Sequence, residues 1–387
     1  MSWPMVELKK LIFKVDMWNP VKDGRDDQIT YIDLSSIDKN SKAIKNEDVQ
    51  KIQASLAPSR ARQLVDSADI LVATVRPNLN GVALVPSDYQ GATASTGYCV
   101  LRPNNKLLDS KYLFYWVQTE SFISDMMAKA TGANYPAVSD KIVKESQIPL
   151  PPLDEQKRIA AILDKADAIR QKRKQAIALA DEFLRSVFLD MFGTDLVRDK
   201  NRVQFGDVTI LDAKMVDPRE DEYLDLLHIG PDRIQKNTGK LLPALTAREE
   251  GLISKKFFFN SEYVLYSKIR PYLRKAAIPD FSALCSADMY PVKPIEGKAT
   301  REFIWMLLLS DLFDTYVASL PDRANIPKLN KKELAAFEFS LPDYRKITKF
   351  SQIVKQHNKS LYSMELAVQI DETSFNALSQ KAFSGQL

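Results

Sequence analysis

Pro279-Asp280 followed by Glu296-Gly297-Lys298 has the shape of a PD…ExK nuclease site, in which carboxylates hold a magnesium ion beside a lysine. Short patterns of this kind arise by chance, and the stretch matching it elsewhere in the chain, "RPNNKLLD", has no Glu-x-Lys. Other chemistry-bearing residues are sparse. There are two histidines, His228 and His357, and two cysteines, Cys99 and Cys285, and no cluster of them has metal-ligand spacing. Both cysteines sit in apolar, strand-like stretches and read as buried thiols of a reducing compartment. The chain has no Gly-x-Gly-x-x-Gly, no Gly-x-x-x-x-Gly-Lys-Ser/Thr and no Asn/Asp-Pro-Pro-aromatic. It therefore offers no phosphate cradle and no amino-methyltransferase motif. The expectation is a non-catalytic chain with no catalytic, cofactor or metal residues. A self-contained magnesium-dependent nuclease built on Asp280 is the alternative.

What remains are basic and amide side chains in loops after strand-like runs. Such groups bind phosphates and base edges. The first candidates are Arg76, Asn78 and Asn80 in "VRPNLNG", and Lys268, Arg270, Arg274 and Lys275 in "SKIRPYLRK". The plain reading is that each Arg-Pro pair makes a turn whose arginine pairs with a neighbouring acid. Because Arg76 and Arg270 recur, they suit the fold or a phosphate; a residue that reads different bases should differ. The second candidates are Asn134 and Tyr135 in "TGANYP", matched by Arg323 and Asn325 in "DRANIP". An asparagine before such a turn is as often a turn residue. The third are Arg60 and Arg62 in "PSRAR" and Lys255 and Lys256 in "SKKFFFN", which could equally be a solvated face. Phe257 to Phe259 read as core rather than as an intercalating wedge.

The elements that position these residues are written twice, displaced by about 191 residues. "ILVATVRPNL" matches "VLYSKIRPYL", and "KYLFYWVQTESF" matches "EFIWMLLLSDLF". "GANYPAVS" matches "RANIPKLN", "QIPLPPLDEQKRI" matches "FEFSLPDYRKI", and "VFLDMFG" echoes "LSQKAFS". Five pieces in the same order are not chance. Each half reads as an α+β unit with strand-like runs and an amphipathic helix, then a Pro-punctuated lead-in to a long helix. The boundaries fall near 1–150, 151–195, 196–341 and 342–387.

The second long helix carries Ile347, Phe350, Val354, His357, Leu361, Met364, Val368, Asp371, Phe375, Leu378 and Ala382 in strict 3,4 spacing. That is a coiled-coil seam. In the first helix Ile159, Ile162, Ala166, Ile169, Arg173, Ala176, Ala180, Phe183 and Val187 keep the same spacing, and Leu163, Ile177, Leu184 and Met191 widen the stripe. A wider stripe implies further helices packing from other chains. At about 40 residues each, the helices are roughly 60 Å long. The run "RQKRKQ" from Arg170 to Gln175 is a solvated face or a phosphate-contacting belt. Two related units and two long helices suggest an antiparallel pair with pseudo-two-fold symmetry.

Composition agrees with a soluble protein of several domains. Of 387 residues, 45% are hydrophobic and 27% charged, and 54 basic against 50 acidic residues leave a net charge of +4. That permits nucleic-acid binding without demanding it. The opening "MSWPMVELKKLIFK" has no signal-peptide pattern, and the longest apolar run, "FIWMLLL", is too short to span a bilayer. A cytoplasmic location is expected.

"IPLPPLDEQKRIAAILDKADAIRQKRKQAI", then "FLRSVFLDMFG", and the terminal "LSQKAFSGQL" resemble the shared regions of the specificity (S) subunit of type I restriction–modification enzymes. The likeness covers the whole chain, repeat order included. The second lead-in, "LPDYRKI", lacks the second proline and the Glu-Gln pair, so the two helices need not pack alike. The resemblance implies that each α+β unit is a target recognition domain for one half of a bipartite sequence in double-stranded DNA. It implies helices that act as a ruler for the spacer and dock two modification (methyltransferase) subunits. Two restriction (translocase/nuclease) subunits would complete the complex. S-adenosylmethionine, ATP and magnesium would then belong to those partners. Half-sites of such a two-headed reader should lie about one helical turn apart, roughly 34 Å. A scaffold that binds proteins but not DNA is the second alternative.

Overall fold

The computed structural model describes residues 3–24, 27–211, 213–321 and 327–387. The chain divides into two compact units, Met1–Lys174 with Leu366–Leu387, and Gln175–Glu365. Each is α+β with a pair of long-helix segments.

In the first unit an antiparallel sheet runs in the order Ile12–Phe13, Tyr98–Pro103, Ile70–Ala73, Val82–Leu84. Its two middle strands are apolar on both faces, because a core lies on each side. Ile70, Val72, Cys99 and Leu101 face the helical side, while Leu71, Tyr98 and Val100 face a second apolar cluster. A second sheet, Gln50–Gln53, Gln28–Ile32, Thr93–Ser95, Ala61–Leu64, contains one parallel pair, Gln28–Ile32 with Thr93–Ser95.

The second unit repeats the plan. Thr209–Ile210, Met289–Pro294, Val264–Ser267 and Ala276–Ala277 form the first sheet, with Val264 and Tyr266 on the helical side and Leu265 on the other. Met215–Val216, Lys256–Phe259, Ala283–Cys285 and His228–Ile229 form the second, again with one parallel pair. Each unit is closed by a two-stranded ladder, Met5–Glu7 with Gln147–Pro149 and Arg202–Gln204 with Glu338–Ser340. Each carries two consecutive helices, Ser110–Trp116 and Glu120–Lys129 in one, Arg301–Leu308 and Asp311–Ser319 in the other. Asp109, Thr119, Thr300 and Ser310 cap them by accepting first-turn amide hydrogens.

The long helices span Leu153–Leu196 and Tyr344–Ser384. The first begins just after Pro151-Pro152, with Asp154 and Glu155 in the first turn at the positive end of the helix dipole. Within each unit their segments run antiparallel. In the first unit Arg158 bonds the Leu387 carbonyl and Arg173 meets Ala367 and Asp371. In the second, Lys346 bonds Asp195 at 2.6 Å, and Phe350 packs on Phe188 and Phe192.

On the terminal helix the expected seam is the inward face. Ile347, Phe350, Val354, Val368, Phe375 and Ala382 are buried, and His357, Leu361, Met364, Asp371 and Leu378 are half-buried. On the central helix the seam is corrected. Ile159 is buried and Ile162, Ala166, Ala176, Ala180 and Val187 are half-buried, but Ile169 is 51% exposed and Phe183 63% exposed, and Arg173 is exposed. The inward line is Ile159, Leu163, Ala166, Arg170, Lys174, Ile177, Asp181, Leu184, Phe188, Phe192. It takes nine steps over 33 residues, a period near 3.7, against ten steps over 35 residues on the terminal helix, a period of 3.5. The unsupercoiled value is about 3.6. The expected and the inward lines lie side by side on this helix and are both apolar near its ends, while the inward one carries Arg170, Lys174 and Asp181 in its middle.

The helix beginnings differ as their sequences do. Gln156 is buried at the first: its Oε1 accepts from the Asp109 amide at 2.9 Å, and its Nε2 donates to the Leu107 and Pro151 carbonyls. The second helix has no such glutamine, and Ser351 Oγ meets Thr300 Oγ1 at 2.7 Å instead. Among the described residues no helix is long and apolar enough to cross a membrane.

Candidate nucleic-acid interface

The two sets of loop candidates, some 60 residues apart in sequence, are brought side by side. Val75 bridges Ala137, the Arg76 amide donates to the Pro136 carbonyl at 2.7 Å, and the Val138 amide donates to Thr74 at 2.9 Å. In the second unit Ile269 bridges Lys328, Arg270 N donates to Pro327 at 2.9 Å, and Leu329 N donates to Lys268 at 2.9 Å. The "RPNL" and "RPYL" stretches then make one turn of 3-10 helix each, Pro77–Leu79 and Pro271–Leu273.

Both ends of each turn are left-handed. Arg76 has φ 52° and Asn80 φ 45°; Arg270 has φ 49° and Arg274 φ 47°. For a residue with a Cβ this conformation costs about 1–2 kcal/mol. It persists because the frame holds it. Asn80 Nδ2 donates to the Gln118 carbonyl at 3.4 Å, and Lys42 Nζ donates to the Asn80 carbonyl at 2.6 Å. Arg274 uses its guanidinium for the same task. It reaches the Leu309 carbonyl at 3.5 Å and pairs with Asp311 and Asp314, each at 2.7 Å.

The candidates thus separate. Arg76, Asn78, Asn134 and Tyr135 are exposed, and the Arg76 guanidinium lies 4.4 Å from the centre of the Tyr135 ring. Arg270 is exposed, and its guanidinium forms no ion pair among the described residues. Arg60 and Lys255 are also exposed.

Several expectations are corrected. Asn80 and Arg274 are turn anchors. Lys256 is buried, its ammonium donating to Ser254, because strand alternation points Lys255 out and Lys256 in. Lys275 Nζ donates to the Pro231 carbonyl at 2.6 Å. Lys268 donates to the Ala287 carbonyl beside Tyr290. Arg62 is half-buried and donates to Asn19 Oδ1 at 3.0 Å. Arg323 and Asn325 lie outside the described residues. Sequence reading passed over Tyr272, 58% exposed at the tip of the second turn, where the first has Asn78. It also passed over Lys42. The signal for Tyr272 was available, as an aromatic two residues past the repeated arginine.

The PD…ExK residues do not converge. The Asp280 carboxylate pairs with Arg301, and Lys298 Nζ donates to the Asp207 carbonyl at 2.8 Å. Among the described residues no group of His, Cys, Asp and Glu could hold a metal.

Two α+β units, each presenting a strained Arg-Pro turn and contributing segments of the same two long helices, make this a twice-built chain. Residues 37–179 match the type I restriction modification DNA specificity domain. Over 189 residues, 48% of the chain, it is 31% identical to the Escherichia coli type I restriction enzyme EcoDI specificity subunit, covering 41% of that protein. It is 23% identical over half its length to the HindI specificity subunit of Haemophilus influenzae, covering 45% of that one. The matched stretches thus span less than half of each curated relative. The fold is shared along the whole chain. A chain from the structure "Structural basis underlying complex assembly and conformational transition of the type I R-M system" aligns over 100% of this chain and 98% of its own, at 23% identity and TM-score 0.58. The S subunit of the M. genitalium type I system aligns over 99% and 96%, at 14% identity and TM-score 0.56. Residues 37–179 thus match a type I restriction modification DNA specificity domain, and the curated proteins that the chain resembles are type I specificity subunits.

Proposed function

We propose that the chain is the DNA-reading, non-catalytic subunit of a type I restriction–modification complex. Its first unit would read one half of a bipartite target in duplex DNA and its second unit the other half. The long helices would set the unread spacer and dock two modification subunits, which would bring S-adenosylmethionine and the adenine-methylating groups. Two restriction subunits would add ATP- and magnesium-dependent translocation and cleavage. The observation that carries this reading is the Arg-Pro turn, built twice in the same strained form with its arginine exposed, on a chain that matches a DNA specificity domain. Exposed apolar side chains on the helices suit a docked partner: Ile169, Leu179 and Phe183 on the central one, Tyr362, Leu366 and Ile370 on the terminal one.

The test is a methylation map of the source genome by long-read sequencing, with the gene present and deleted. Loss of adenine methylation at one gapped, two-part motif is the expected outcome. A continuous motif would overturn the two-headed reading. If the assembled complex showed no salt-sensitive preference for any duplex, the chain would be an interaction scaffold instead.

A further inference from the structure

The Arg-Pro turn occurs in both units with part of its sequence kept and part changed, and this division sorts its side chains by task. Read from the arginine, the turns are Arg76-Pro77-Asn78-Leu79-Asn80 and Arg270-Pro271-Tyr272-Leu273-Arg274. Arginine, proline and leucine are common. The fifth residue differs, but in both units its side chain serves the fold by bonding the same carbonyl position, Gln118 or Leu309, at the end of a helix. The third residue also differs, and it is exposed in both units: an amide in one, a phenol in the other.

We infer that this third position, Asn78 in the first unit and Tyr272 in the second, reads a base, while Arg76 and Arg270 at the head of the turn hold a DNA phosphate. The inference rests on the proposed role in DNA reading and assigns the residues that perform it. Two half-sites differ in their bases and share their backbone. A phosphate contact is therefore the same in both units and a base contact is not. Arginine is kept at a backbone conformation that glycine adopts without strain. Strain of this kind persists only where the surrounding structure enforces it, and it clusters at functional sites. The Arg76 guanidinium has no acid partner among the described residues and lies against an exposed ring, so it is held in place with its charge uncompensated. The tip side chain leaves a turn whose proline is buried and whose two ends are pinned, so it is presented rigidly. An asparagine in that position can bond N6 and N7 of adenine together, and a tyrosine can bond one edge atom or lie against a thymine methyl.

The experiment uses the complex reconstituted with its modification subunits, with binding and methylation measured on duplexes carrying every single-base change in each half-site. Arg76→Ala and Arg270→Ala should weaken binding to all duplexes alike and reduce the slope of log K against log salt by about 1 each. Asn78→Ala should relax discrimination about tenfold to hundredfold at one base pair of one half-site only. Tyr272→Ala should do the same in the other half-site. Asn78→Asp, of equal size, guards against a folding defect: it should shift preference at that same base pair while the rest of the half-site is read as before. Unchanged discrimination in both tip variants, with binding intact, overturns the assignment. So does an unchanged salt slope in both arginine variants. A wild-type complex that bound no gapped duplex would remove the DNA-reading proposal itself, and this one with it.

Discussion

The two units hold the same strained turn by opposite means. In the first the anchor is a neutral amide, Asn80, helped by Lys42 from the hairpin of Ile37–Asp38 and Ala43–Ile44. That ammonium is half-buried and lies near two further cations, Arg170 and Lys174, on the central helix. In the second unit the anchor is itself a cation, Arg274, facing Asp311 and Asp314. The first anchor carries no charge and its helper ammonium lies among cations that have acid partners of their own, whereas the second anchor is a cation held directly by two acids. A fold can therefore keep a backbone shape through two copies while the chemistry that enforces it diverges.

The helix ends extend the comparison and carry the largest expected effect. In the second unit Phe192 of the central helix sits among Phe188, Phe303 and Phe350 and is fully buried. In the first unit Phe383 of the terminal helix takes the matching place on Tyr112 and Trp116, and is slightly exposed. Phe192→Ala should cost about 3–5 kcal/mol, and Phe383→Ala should fall at the bottom of that range. Hydrogen exchange resolved by unit is the measurement, since a chain of two units need not unfold in one step. Equal losses would mean that the two helix ends are interchangeable.

A smaller effect separates the helix beginnings. Gln156→Ala leaves the Asp109 amide and two carbonyls without their partner and should cost about 1–3 kcal/mol, whereas Ser351→Ala should cost about 1 kcal/mol. Urea midpoints read with a probe in each unit would check this, and a reversed order would break the comparison.

The smallest effect concerns pH. Burial first, and then Arg170, pushes Lys42 down from 10.5 to about 8. Between those values the unfolded chain holds the proton more tightly than the folded one. First-unit stability should therefore climb as pH rises through that window, and Lys42→Met should flatten the climb. Thermal midpoints from pH 7 to 10 give the answer, and a second unit rising in parallel would assign the trend to something else.

The repeat, the Pro-punctuated helix start and the terminal seam were legible in the sequence because they are local patterns or comparisons of the chain with itself. The central seam was not, because Ile162 and Leu163, or Phe183 and Leu184, are equally apolar neighbours and only the packing partner decides between them. The candidate interface was legible in part. Arg76 and Tyr135 stood out as polar loop residues, but their stacking depends on a bridge between distant segments. Lys256 and Arg274 were misread because one strand position reverses exposure, and because the acids that claim Arg274 lie about 40 residues away.

The first unit is assembled from two separate stretches of chain, and this sets an order on its birth. Met1–Lys174 emerges from the ribosome well before Leu366–Leu387, with all of Gln175–Glu365 made in between. At typical synthesis rates that interval is roughly 10 to 40 s. Throughout it, Tyr112 and Trp116 lack the phenylalanine that covers them, and the early helix lacks its mate. The nascent first unit is thus a natural client for chaperones. A chain that stopped anywhere before residue 383 would leave that aromatic face of its first unit uncovered.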